Sequence, residues 1–244
     1  MKRMGAIARA VVTDSIRRRV PYVVVFFAGV LAAAIPSLPD YGMGIEAAVF
    51  REMTLALMYV TAIVMALALA ANRLPTEFER RTVYSILAKQ VSRREYVVGT
   101  WAGLTAVMAG VIAAFTIVIQ IIAVLTYGDP MWVLWLGALS ILLEMGVIIA
   151  LAVAVSTLMG PVVVVVATLA ILFVGHSRST LLGGLGAADI GYFAPSLDAF
   201  NIMLPVAYGS GVSALAVVSM LTVFVGFVGL ALLIAVILLG RRDL

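Results

Sequence analysis

The chain has 244 residues, 64% hydrophobic and 11% charged, with a mean hydropathy of +1.20 and a formal net charge of +4. A soluble domain carries about 25% charged residues, so a chain this apolar reads as an all-α integral membrane protein rather than a water-soluble core. The absence of cysteine excludes disulfides and thiolate metal sites, the single histidine (His176) argues against a histidine-based metal or catalytic centre, and neither lysine, Lys2 or Lys89, follows a glycine, so there is no GxxxxGK[ST] phosphate loop.

Residues 3–18 place Met4, Ile7, Ala8, Val11 and Val12 on one face, the pattern of an N-terminal interfacial amphipathic helix. Six apolar stretches follow, near the length of about 20 residues that a spanning helix needs: 20–38, 50–71, 97–126, 131–158, 160–176 and 212–239. Ala32-Ala33-Ala34 resembles a signal-peptidase site, but the long preceding segment with Asp14 favours 20–38 as the first span. The runs are too long and unalternating for barrel strands. The whole chain, 1–244, is expected to form one transmembrane domain.

Basic residues set the orientation. With the N-terminus in the cytoplasm, 14 of the 16 Lys and Arg fall on the cytoplasmic side, and Arg51 and Arg178 on the other. This predicts a multi-pass protein of the plasma (inner) membrane with both termini cytoplasmic, its basic face turned toward anionic lipid.

Between the second and third spans lies the polar stretch 73–96. Thr76 followed by Glu79, with Pro75 before them, predicts a capping box that opens a short amphipathic helix. Ser92 followed by Glu95 repeats the pattern, predicting a break at about 89–92 and a second helix that runs into span three. The bland alternative is a solvated connector whose arginines follow the positive-inside rule.

These residues also carry a resemblance. Glu77, Phe78, Glu79, Arg80, Arg81 and Thr82, then Ser85-Ile86-Leu87-Ala88-Lys89, Val91-Ser92-Arg93-Arg94-Glu95-Tyr96, and Gly99 and Gly103 resemble the signature of ABC-2 type permeases, the transmembrane subunits of a class of ATP-binding-cassette transporters. Arg241-Arg242-Asp243 after the last span and Tyr192–Asn201 in the last external loop are similar too. Gln90 stands where the family usually has proline, and Thr100 where it often has lysine. The resemblance implies that 76–89 is a coupling helix seated on a cytosolic nucleotide-binding ATPase subunit. Glu79, Arg80 and Arg81 would make polar contacts there, with Phe78, Val83 and Leu87 as packing anchors and Glu77 and Thr82 in the same coupling surface. It further implies an exporter built from two permease copies, a homodimer or a pair with a similar chain. ATP and Mg would sit on the partner subunit, leaving this chain without a cofactor, catalytic residues or a nucleic-acid partner.

Inside the spans, Glu144 lies near the middle of the fourth, and a carboxylate at that depth costs about 2.5–3.5 kcal/mol on insertion scales. It must be protonated, paired or wetted. Ser140 is one turn earlier, and Thr105, Thr116 and Gln120 share a face of span three. These residues either line a translocation path or satisfy Glu144 in a packed interior. Met58 and Met65, with Thr54 and Thr61, form a stripe on span two that lines an apolar cavity or packs. Gly99, Gly103 and Gly110 on one face of span three predict close helix packing. The external segment 177–211 reads as short helices re-entering the bilayer surface, with His176 before it as an interfacial polar residue.

Three other function classes remain beside the permease. A secondary transporter or channel predicts inverted repeats, and the two halves show no convincing repeat. A membrane enzyme needs converging catalytic groups, which one histidine, no cysteine and a lone Glu144 do not supply. A membrane scaffold without an ATPase partner is the third.

Overall fold

The computed structural model describes residues 2–18, 20–34, 46–79, 92–177 and 196–241. Among them the regular structure is helical, without strands. The long helices are α1 (Lys2–Arg18), α2 (Val20–Ala34), α3 (Glu46–Glu79), α4 (Arg93–Tyr127), α5 (Leu134–Ser156) and α6 (Pro161–His176). A 3-10 turn (Leu197–Phe200), the short α7 (Met203–Tyr208) and α8 (Ala214–Arg241) follow.

Four of these helices, α3 over Glu46–Ala70, α4, α5 and α8, are long and apolar enough to cross a membrane. The helices at the first and fifth expected spans are shorter. α2 has 15 residues and α6 has 16, rises of roughly 22 and 24 Å against a hydrocarbon core of about 30 Å.

α4 begins and ends where its sequence specifies. Ser92 is the extended N-cap, its side chain accepting from the Glu95 N–H while the Glu95 carboxylate accepts from the Ser92 N–H at 2.9 Å. This is the reciprocal capping box expected from the sequence. At the other end Gly128 adopts φ 74° and donates its N–H to the Val124 carbonyl, the left-handed stop that glycine makes cheaply. α6 opens with Pro161 in its first turn, where a missing N–H costs nothing.

The first expected capping box does not form a helix start. α3 runs unbroken through Pro75 and Thr76 to Glu79. A capping box acts on a chain that enters in a non-helical conformation; here the chain arrives already helical, and propagation is far cheaper than renucleation. The side chains of Glu77, Phe78 and Glu79, and all of Arg80, Arg81, Thr82, Val83 and Leu87, lie outside the described residues, as does most of the coupling region.

α1 does not leave its apolar stripe to the bilayer surface alone. Ile7 and Val11 pack on α4, where a Cβ at Gly99 would sit 3.1 Å from Ile7 Cβ and one at Gly103 only 2.7 Å from Val11 Cβ. A four-residue step on each helix pairs in the same direction, so α1 and α4 run parallel. α2 continues along α4, with Phe27 stacked on Phe115 at 3.9 Å between ring centroids. Gly103 is thus a close-packing glycine as expected; Gly110 is not, because its missing side chain faces open space.

The two ends of the bundle are distinct. At one, Arg93 donates to the carbonyls of Leu239 (2.8 Å) and Gly240, capping the C-terminus of α8 with a cation at its negative dipole end. At the other, Phe50 meets Tyr127, and the Arg51 guanidinium donates to the Ala207 carbonyl at 2.6 Å. Successive long helices from α3 onward therefore alternate in direction. Of the expected external segment, residues 197–208 do form short helices; Leu197, Phe200, Val206 and Ala207 are buried against the second end. Residues 178–195 lie outside the described residues.

Candidate functional site

α5 is the hub of the bundle, with α3, α4, α6 and α8 packed around it, and it carries Glu144 into the interior. The carboxyl is 3% exposed, so its partners must be protein groups. The Tyr59 hydroxyl of α3 donates to Glu144 Oε1 at 2.7 Å. The imidazole of His176, the last residue of α6, places Nε2 3.7 Å from the same oxygen and 3.4 Å from the Tyr59 hydroxyl. The tyrosine and histidine rings meet edge to face at 6.1 Å between centroids. Three helices are tied through one carboxylate oxygen.

Local periodicity aims each group. Leu55, Met58, Ala62 and Met65 are buried at helical spacing on α3, and Tyr59 lies beside that stripe, its ring in apolar surroundings and its hydroxyl reaching across to α5. On α5, Gly137, Ser140, Ile141, Glu144 and Ile148 are buried in the same succession. Ser140, one turn from Glu144, spends its hydroxyl on the Phe200 carbonyl and so anchors the 3-10 turn to α5. The Tyr59–Glu144–His176 cluster therefore lies one turn deeper than that anchor. His176 Nδ1 is buried without a hydrogen-bond partner among the described residues.

The other expected path residues do not join this cluster. Thr116 donates to the Ile112 carbonyl of its own helix, and its second neighbour is the Met58 sulfur at 4.0 Å; both residues are buried in packing. Gln120 donates to the Met131 carbonyl at 3.1 Å, holding the α4–α5 connection. Thr54 and Thr61 likewise turn back to carbonyls four residues earlier, the usual way a helix hides a hydroxyl. The stripe on α3 is packing, and Thr105, Thr116 and Gln120 do not satisfy Glu144.

Tyr59 and His176 are the partners that sequence reasoning missed. His176 sits at a helix end, as an interfacial residue would, yet its ring turns inward. A signal was present: a tyrosine in the middle of an apolar span carries a hydroxyl that demands a partner, and Glu144 was an acceptor in need of a donor. Among the described residues no group of three or more His, Asp or Glu side chains is arranged to hold a metal ion. The chain matches no known family model and no curated protein.

Proposed function

We propose that the chain is the permease subunit of an ATP-binding-cassette transporter of the ABC-2 type, acting as an exporter. The observation that carries this reading is the stretch from Glu77 to Gly103, together with the Ser92–Glu95 capping box within it that opens α4. A rigidly capped helix start suits a segment that must pass a push from a cytosolic partner into a transmembrane helix. A solvated connector has no use for it.

In this reading α2 and α6 are the first and fifth of six membrane crossings, their shortness made up by tilting neighbours and local thinning of the bilayer. Both termini and the 73–96 stretch face the cytoplasm, where Arg93 ties the start of α4 to the end of α8. A separate ATPase binds ATP and Mg and engages residues 76–89. A second permease copy completes the translocation path. Glu144 lies inside one copy's bundle rather than on an outward face, which supports a role in holding helices rather than in touching cargo.

A second reading, a transporter or channel without an ATPase, draws support from the same buried acid, since ionisable groups within spans mark ion and proton pathways. Gentle detergent extraction from native membranes, with mass spectrometry of the co-purifying chains, separates the two. The permease reading expects a stoichiometric ATPase subunit. A chain that purifies alone, under conditions that keep other such complexes together, removes that reading in favour of the second.

A further inference from the structure

The permease reading uses Glu144 only to hold helices and leaves unexplained why three ionisable side chains meet between α3, α5 and α6. We propose that Glu144, Tyr59 and His176 form a proton-binding site, in which one proton is shared between Glu144 and His176 across the Tyr59 hydroxyl, and that uptake of a second proton frees the end of α6 from α3 and α5.

The geometry supports each part. Glu144 Oε1 and His176 Nε2 are 3.7 Å apart, beyond the 2.7–3.2 Å range of a direct N–H···O hydrogen bond. The Tyr59 hydroxyl lies between them, 2.7 Å from the carboxylate and 3.4 Å from the imidazole, the second contact long by the same range but the shorter of the two routes to His176. It gives its one hydrogen to Glu144 and turns its lone pairs toward Nε2. A proton on Nε2 passes to the tyrosine oxygen as the tyrosine proton passes to Oε1. One N–H and one O–H bond break, two O–H bonds form, and the ion pair becomes a neutral acid beside a neutral imidazole. Both arrangements hold one exchangeable proton and no net charge, which is what an apolar interior favours.

Removing that proton leaves a buried carboxylate with a single donor. Adding another leaves an imidazolium facing a neutral acid, so the ion-pair arrangement is no longer accessible, a buried charge is left unpaired, and the hold on the end of α6 weakens. Among the described residues, no other ionisable side chain contacts the cluster. From α3 the polar contact is Tyr59, and from α6 it is His176. The other ionisable groups of α3 whose side chains are described, Glu46, Arg51 and Glu52, lie about two turns or more from Tyr59, with Arg51 engaged at Ala207. α4 carries its ionisable groups toward its ends, at Arg93, Arg94, Glu95, Tyr96 and Tyr127, and α8 at Arg241. Asp198 and Tyr208, on the 3-10 turn and α7, are exposed. His176 is the more accessible member of the cluster, its side chain 27% exposed where that of Glu144 is 3% exposed.

The composition makes the test direct. His176 is the only histidine, and the chain has no cysteine. The full-length chain, in lipid nanodiscs with whatever subunits it retains, is labelled with nitrogen-15 histidine and carboxyl-carbon-13 glutamate and followed by NMR against pH. The Glu144 carboxyl signal is assigned by its loss in Glu144→Gln. In parallel, spin labels at Val60→Cys on α3 and Phe173→Cys on α6, both outward-facing positions, report the distance between the two helices. The expected result is that imidazole and carboxyl respond over one common pH interval, as coupled groups do, with the label distance growing on acidification. Glu144→Gln abolishes both effects. Tyr59→Phe, which removes one oxygen and carries the test if Glu144→Gln fails to fold, splits the common transition into two. Independent responses of the two groups in the unsubstituted chain, a joint transition unmoved by Tyr59→Phe, or a constant label distance overturns the proposal. None of these readouts depends on an ATPase partner, so the proton site stands or falls apart from the permease reading.

Discussion

α5 and α8 are both apolar, both long enough to cross a membrane, and opposite in their surroundings. In an 18-residue stretch of α5, 72% of the residues are buried, against 22% in α8. Hydropathy separates a helix from water but does not name what replaces the water. α5 is enclosed because small residues such as Gly137 and Gly146 admit Leu55 and Phe224 closely, and because Ser140 and Glu144 bond to neighbouring elements. α8 also has glycines, but Gly226 and Gly229 face open space, and Leu215, Val218, Val225 and Leu233 point outward. Small residues permit close packing without compelling it.

The contrast is sharpest in the core. Met145 of α5 is fully enclosed, and Met145→Ala is expected to destabilise the fold by about 2–5 kcal/mol. Val225→Ala on the outward face of α8, 67% exposed, should stay within about 0.5 kcal/mol. Thermal unfolding in nanodiscs reads both. Equal losses would break the comparison and mean that the outward face of α8 is covered by protein in the assembly.

Adding bulk sharpens it from the other side. A Cβ at Gly146 would lie 2.7 Å from Phe224 Cε2, so Gly146→Val should cost about 1–3 kcal/mol by overpacking. Gly229→Val meets open space and should be silent in the same melt. A smaller effect tests the polar tie between α4 and α5, where the Trp101 indole N–H donates to the Gly146 carbonyl at 3.0 Å. Trp101→Phe keeps a ring beside Phe224 but loses the donor and part of the indole's packed area, an expected cost of about 0.5–1.5 kcal/mol from the hydrogen bond alone. Smallest is Arg93→Gln at the end of α8, about 0.3–1 kcal/mol. Its signature is faster hydrogen exchange of the last amides of α8 rather than a shift in melting.

Local features were the most legible in the sequence. The capping box at Ser92 and Glu95 acts within one turn of backbone, so residue type and spacing sufficed to read it; the left-handed stop at Gly128 and the proline start at Pro161 act on the same scale but emerged with the structure. Pro75 and Thr76 show the limit of that reading. The same chemistry failed to start a helix because the preceding residues were already helical, a fact that lies outside the motif. The stripe on α1 was legible as amphipathic, but its partner was not; that α4 rather than lipid receives Ile7 and Val11 depends on how two distant segments align.

The candidate site divides in the same way. Glu144 stood out because an acid near the middle of an apolar run is costly wherever its neighbours lie, and the sequence alone required it to have a partner. Which partner was a question of tertiary structure. Tyr59 lies 85 positions from Glu144 and 117 from His176, so three separate helices must align to bring the cluster together, while Thr116 and Gln120, the nearer guesses by helical wheel, bond elsewhere. The sequence by itself determined that the chain is helical and apolar, where several helices begin and end, and that one buried acid needs an answer, because these follow from local bonding and from transfer out of water. Only the tertiary structure decided which apolar faces meet protein and which groups surround Glu144, because packing chooses among many apolar surfaces of nearly equal affinity for one another.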